Sequence, residues 1–237
     1  MGHFLYPFAA VLSYIIGSLS FTRIVSKIFD PGIDLESVDL PASDGGTHRL
    51  KTVGATTASI KLGPKVGCTI GIMDILKGLV PVLAFKYFYP DNYYHLAAAV
   101  FAVVGHNWPI FYRFKGGAGL STAYGGFIVI DFVGIVISTL TSLIFGLFVI
   151  RDAVVAYLSG LFFMLIWLIL FKGDWPHILY GIAINIVFIL GFIPEMKDYI
   201  KQKREGNVVM NNAMSATPMG RGMLKIMDYF RVKKEQD

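Results

Sequence analysis

Long apolar stretches constrain this chain more than any other feature. A helix needs roughly 20 mostly apolar residues to cross about 30 Å of hydrocarbon. Stretches near 4–22, 66–88, 95–112, 153–171 and 176–194 meet or approach that requirement. The stretch 119–150 is too long for one crossing, because as a single helix it would measure about 48 Å. Asp131 and Gly134 interrupt it near its middle, so two short crossings at about 120–132 and 134–150 are expected. Only 16% of the residues are charged, against about 25% in an average soluble domain. The expected fold is all-α: a polytopic membrane helix bundle with seven transmembrane spans.

The placement of the cations tests the span count. With seven spans and the N-terminus outside, the inner segments hold Arg23, Lys27, Arg49, Lys51, Lys61, Lys65, Arg113, Lys115, Arg151 and the basic tail. Lys86 and Lys172 alone flank outer loops, and Lys77 lies within a span. Six spans would put the first long loop and the tail on opposite sides and break the positive-inside bias. The net charge of +5 therefore reads as a topology signal, and no nucleic-acid partner is expected. The N-terminal apolar run has no preceding cation and no small-residue cleavage site, so it is expected to be a span rather than a removable signal. Cys68 is the sole cysteine and excludes an intrachain disulfide.

Residues 1–204 are expected to form one membrane domain with a long cytoplasmic loop at 29–64, rich in Gly, Asp, Ser and Thr. Residues 205–237 read as a cytoplasmic tail, either solvated or carrying a short interfacial helix. In it Met223, Ile226, Met227 and Phe230 recur at helical spacing among Lys225, Arg231, Lys233 and Lys234.

Four places could carry chemistry. In GHNWPIFYRFKGGAG an apolar span ends in Arg113 and Lys115, and Gly116, Gly117 and Gly119 then free the backbone. Converging amides and a nearby lysine suit an anion, while a tight helix–helix turn explains the same glycines. Asp74 and Lys77 are three apart on one helix face within an apolar segment, where ionisable groups line a polar cavity or pair with each other. His106 is either a hydrogen-bonded core residue or part of a headgroup site. His48, Arg49, Lys51, Gly54, Thr56 and Thr57 bring cations, hydroxyls and a flexible backbone to the first loop. That set suits a phosphate ester or a merely solvated loop.

These pieces resemble, in order, the bacterial acyl-phosphate:glycerol-3-phosphate acyltransferase family. GSLSF at 17–21 looks like its GSxPF, and Gly32, Ile33 and Asp34 like its GIDIR. Gly54, Ala55 and Thr56 match GATN, and Asp74, Lys77 and Gly78 match DxxKG. Gly105 to Gly119 resembles GHxFPVFxxFKGGKG, continued by Ser121, Thr122 and Gly125. The resemblance spans about residues 13–170.

It implies a plasma-membrane enzyme with its site on the cytoplasmic face, which transfers a fatty acyl group from acyl phosphate to glycerol 3-phosphate. The product would be lysophosphatidic acid for phospholipid synthesis, with no metal, cofactor or protein nucleophile. Catalysis would rest on positioning and on stabilising phosphate charge. Lys115, His106, Lys77 and Asp74 would form the catalytic set. Gly116, Gly117, Gly119, Gly54, Thr56, Thr57, Lys61, Arg49, Lys51 and Ser43 would bind phosphate.

Ala118, Leu50 and Ile60 stand where the family pattern has lysine, serine and arginine, and the family's HxxN after the last span is missing. A non-catalytic relative that binds lipid or a partner is therefore the alternative implied. A transporter would call for an internal repeat, and the sequence shows none.

Overall fold

The computed structural model describes residues 2–29, 32–33, 37–41, 47–50, 53–204, 215 and 217–236. Helix α1 (Gly2–Gly17) breaks at Ser18–Ser20 and resumes as the amphipathic α2 (Phe21–Phe29). The first long linker is not structureless. It holds an antiparallel hairpin of β1 (Val38–Pro41) and β2 (Thr47–Leu50), paired Val38 to Leu50 and Pro41 to Thr47. Helix α3 (Ala55–Leu62) follows. Strands of four residues are too short to show a period-2 pattern, so the sequence signalled only the turn-forming residues between them.

Helix α4 (Pro64–Phe88) starts on a proline, whose missing N–H costs nothing at a first helical position. Helix α5 (Tyr94–Asn107) ends five residues short of the expected 112, because Pro109 biases the residue before it away from helical geometry. Helix α6 (Leu120–Ile130) and α7 (Phe132–Ile144, extended by a π-helical turn to Ile150) divide at Asp131. The expected split of 119–150 is thus present in the backbone. Asp131 Oδ1 accepts from Gly134 N at 2.8 Å and caps α7. Its Oδ2 accepts from Trp167 Nε1 at 3.1 Å and lies 3.6 Å from Lys172 Nζ.

The chain continues through α8 (Ala153–Leu158), α9 (Gly160–Trp167, with a π-helical turn to Lys172), α10 (Trp175–Arg204) and α11 (Pro218–Gln236). Among the described residues, four helical stretches are long and apolar enough to cross a membrane: Phe4–Phe29, Pro64–Phe88, Phe132–Ile150 and Trp175–Lys197. Leu120–Ile130 and Gly160–Lys172 are shorter apolar helices.

Polarity along α4 is the reverse of a soluble helix. Ile72, Leu76, Val80 and Leu83 face outward, whereas Asp74, Lys77 and Gly78 are buried. An apolar exterior around polar buried groups is what lipid as solvent demands. Two close seams hold the helices. Gly78 and Gly125 bring α4 against α6, where a Cβ at Gly78 would overlap Thr122 O and one at Gly125 would overlap Ile75 O. Gly17 and Gly105 do the same for α1 and α5, against Ala102 O and Tyr14 O. Small residues let backbones approach where dispersion replaces the hydrophobic effect. Between the seams lies the apolar core, with Val82, Ala99, Val103, Phe127, Met164 and Ile184 fully enclosed.

Candidate active site

The α1–α2 break, the start of α3 and the α5–α6 turn meet at one end of the bundle. Lys77 Nζ lies 2.8 Å from Asp74 Oδ1 and donates to Leu19 O at 2.9 Å, tying α4 to the α1–α2 break. The ring of Phe21 lies 5.8 Å from the same ammonium, within cation–π range. His106 Nδ1 is 3.7 Å from Asp74 Oδ1 and 3.1 Å from Thr122 Oγ1. One carboxylate, one ammonium and one imidazole thus form a largely buried cluster across α4 and α5, joined from α6 by the Thr122 hydroxyl.

The α5–α6 turn is built by backbone requirements. Arg113 and Phe114 take left-handed conformations with φ of 53° and 58°, and Gly119 has φ of 82°. A Cβ at Gly116 would overlap His106 O. One at Gly117 would come within 2.6 Å of His106 Nε2 and 2.8 Å of Val53 O. The glycines therefore let the turn lie directly on the imidazole and on the approach to α3. Gly117 N makes a long 3.3 Å hydrogen bond to His106 O.

Two cavities share Val53, His106 and Gly117. The smaller, about 10 Å³, is lined by Ser18, Ser20, Lys77 and Gly116 among others, and Ser18 Oγ is buried there without a hydrogen-bond partner. The larger, about 110 Å³, runs from Gly54, Thr56, Asp74, Gly119 and Ser121 to Tyr157, Leu158, Phe192 and Glu195. It is polar at the glycine turn, and toward α8 and α10 the apolar Leu158, Phe188 and Phe192 stand beside the polar Tyr157 and Glu195.

The structure brings Asp74, Lys77, His106, Gly116, Gly117, Gly119, Gly54 and Thr56 to these cavities. Thr57 is buried in α3 and Lys61 sits in its last turn, half-buried; neither lines them. Lys115 is exposed and lies outside both linings. The backbone of Arg49 belongs to β2, and Ser43 and Lys51 lie outside the described residues. Ser18, Ser121, Tyr157 and Glu195 line the cavities without having been singled out as site residues. The GSLSF and GLST runs held a signal for the two serines, whereas Tyr157 and Glu195 arrive through tertiary packing alone. Among the described residues no group of three or more His, Cys, Asp or Glu is placed to hold a metal.

Comparison with known proteins gives this geometry its context. A model of the glycerol-3-phosphate acyltransferase family matches residues 7–202. The chain belongs to that family. A glycerol-3-phosphate acyltransferase of Halalkalibacterium halodurans is 36% identical over 48% of this chain and 50% of its own length. The one from Wolbachia sp. subsp. Brugia malayi is 30% identical over 75% of this chain and 87% of its own. The chain spans about half the length of the Halalkalibacterium halodurans protein and of several other curated relatives it matches. A crystal structure of PlsY (YgiH), an integral membrane glycerol 3-phosphate acyltransferase in its glycerol 3-phosphate form, superposes with a TM-score of 0.68. It is 24% identical and covers 85% of this chain and 92% of that one. The fold is therefore that of an integral membrane member of the family.

Proposed function

We propose that this protein is a membrane glycerol-3-phosphate acyltransferase working at the cytoplasmic face of the plasma membrane. In this reading the bundle crosses the bilayer seven times, with its N-terminus outside and its tail inside. The donor is an acyl phosphate and the acceptor is glycerol 3-phosphate. The acceptor hydroxyl attacks the acyl carbonyl carbon, the acyl–oxygen bond to phosphate breaks, and the departing phosphate takes the hydroxyl proton. Lysophosphatidic acid and inorganic phosphate result.

The observation that carries this reading is the cluster of Asp74, Lys77 and His106 beneath a glycine turn, beside a cavity whose far wall includes the apolar Leu158, Phe188 and Phe192. A phosphate would rest against the Gly116 and Gly117 amides, Thr56 and Lys77, with the Gly117 amide released from its long hydrogen bond to His106 O. The acyl chain would run between α8 and α10. Asp74 holds Lys77 in place, and His106 shapes the floor. Lys115, Thr57, Lys61, Gly54, Gly119, Ser43, Arg49 and Lys51 would close the site from the two flanking linkers. Rate enhancement comes from holding two anions in register and from fixed dipoles around the departing phosphate.

Purified protein given acyl phosphate and glycerol 3-phosphate should release lysophosphatidate and phosphate together. No product above background would overturn the reading. One observation favours a second reading, a lipid-binding relative without turnover: Ala118 lines the larger cavity where the resembled family pattern carries a lysine. That reading requires saturable phospholipid binding without product, and turnover gained on Ala118→Lys.

A further inference from the structure

The family match ends at residue 202, so α11 is an addition to the shared fold. It is nonetheless docked. Met223 is 4% exposed and packs with Leu147, Ala153 and Ala156, flanked by Leu143, Leu224 and Met227. Leu147 lies in the last turn of the apolar stretch Phe132–Ile150, which places α11 at the end of a membrane-facing helix. There Phe148, Val149 and Ile150 are outward-facing. On α11, Ile226 and Tyr229 are 43% and 65% exposed, and Lys225 is exposed beside them. At 100° per residue, Ile226 and Tyr229 fall on a flank between the docked face of Met223 and an exposed face that carries Arg221, Lys225 and Asp228. A helix with one docked face, one apolar exposed flank and one charged face on which cations outnumber the single carboxylate suits the boundary of a negatively charged leaflet.

We propose that α11 binds the anionic membrane surface, sinking Ile226 and Tyr229 toward the acyl chains with Lys225 at the headgroups. Through Met223 it braces α8. Tyr157 and Leu158 of α8 also line the larger cavity, so surface lipid would set the position of that wall. The lipid contact stands apart from the proposed reaction; the importance of the cavity wall rests on it.

Amide hydrogen exchange of the full-length protein in nanodiscs tests both parts without requiring turnover. Phosphatidylcholine discs are compared with discs containing phosphatidylglycerol. Residues 219–229 should exchange more slowly in the anionic discs, and Lys225→Gln should remove about fivefold of that protection, the scale of one surface cation. Met223→Asp should speed exchange at 219–229 in both lipids and at 153–158. Equal exchange of 219–229 in the two lipids, or a Lys225→Gln protein with the full lipid difference, overturns the membrane contact. Unchanged exchange at 153–158 in Met223→Asp overturns the brace. If Met223→Asp does not fold, Leu147→Ala weakens the same contact and is read in the same way.

Discussion

Lys77 and Asp74, one turn apart on α4, form a 2.8 Å ion pair with each side chain about 95% shielded. Lys77 also reaches Leu19 O in the break between α1 and α2. The pair is a tether between elements as well as a charge at the cavity.

Breaking that pair on one side should be costly. Asp74→Ala leaves an enclosed ammonium without its counter-ion, and the expected loss is about 3–5 kcal/mol of stability, read by thermal unfolding in detergent. The double variant Asp74→Leu, Lys77→Met removes both charges and should recover most of that stability while remaining inactive. A double variant as active as the parent would remove the pair from the mechanism.

The glycine turn should be sensitive at one position and tolerant at another. A methyl group at Gly117 meets His106 Nε2 and Val53 O, whereas one at Gly54 meets nothing within 4 Å. Displacing the turn by roughly 1 Å typically costs about 10²-fold in rate. Gly117→Ala should therefore lose turnover on that scale, and Gly54→Ala should change it only a few-fold. Steady-state phosphate release measures both.

Lys61 and Lys115, outside both cavity linings, are expected to act on capture of the anionic substrates when the flanking linkers close on them. Replacing Lys61 and Lys115 together by Ala should raise the KM for glycerol 3-phosphate by tenfold or more, the scale of lost charge-assisted hydrogen bonds at about 1.5–3 kcal/mol each. The unfolding midpoint should hardly move. An unchanged KM would take both lysines out of substrate binding.

Asp131 should matter for stability alone. Its cap to Gly134, its bond from Trp167 and its approach to Lys172 secure the α6–α7 break, and no atom of it lines either cavity. Asp131→Ala is expected to cost about 1–2 kcal/mol, typical of a lost helix cap, with turnover per folded molecule preserved.

Orientation can be read with a membrane-impermeant thiol reagent. With Cys68 replaced by Ser, single cysteines at Lys115 and Lys172 should label from opposite sides of intact vesicles. Labelling from the same side would overturn the proposed seven-span topology.

Much of the bundle was legible because lipid enforces a coarse rule: about 20 apolar residues per crossing, with polar breaks between. Asp131 was readable for that reason, as one carboxylate within an apolar run. The end of α5 was missed by five residues because hydropathy continues through Ile110 and Phe111 after Pro109 has stopped the helix. The hairpin and α3 were missed because short polar elements carry no strong period. At the site, Asp74, Lys77 and His106 stood out because ionisable groups at membrane depth need partners. Lys115 drew attention through its chain proximity to Gly116, yet the left-handed residues Arg113 and Phe114 precede it in the turn, and its side chain is exposed outside the cavity linings. Sequence adjacency does not reveal such a change of direction.

The glycine seams have a consequence for how a lipid tail gets in. With carbonyl oxygens seated where side chains would otherwise be, α4 cannot part from α6, nor α1 from α5, without opening a void that no neighbour can fill. Those four helices act as a fixed frame. In the proposed reaction, room for a long hydrocarbon would have to come from the opposite wall, where Tyr157 and Leu158 of α8 line the same cavity as Phe188 and Phe192 of α10.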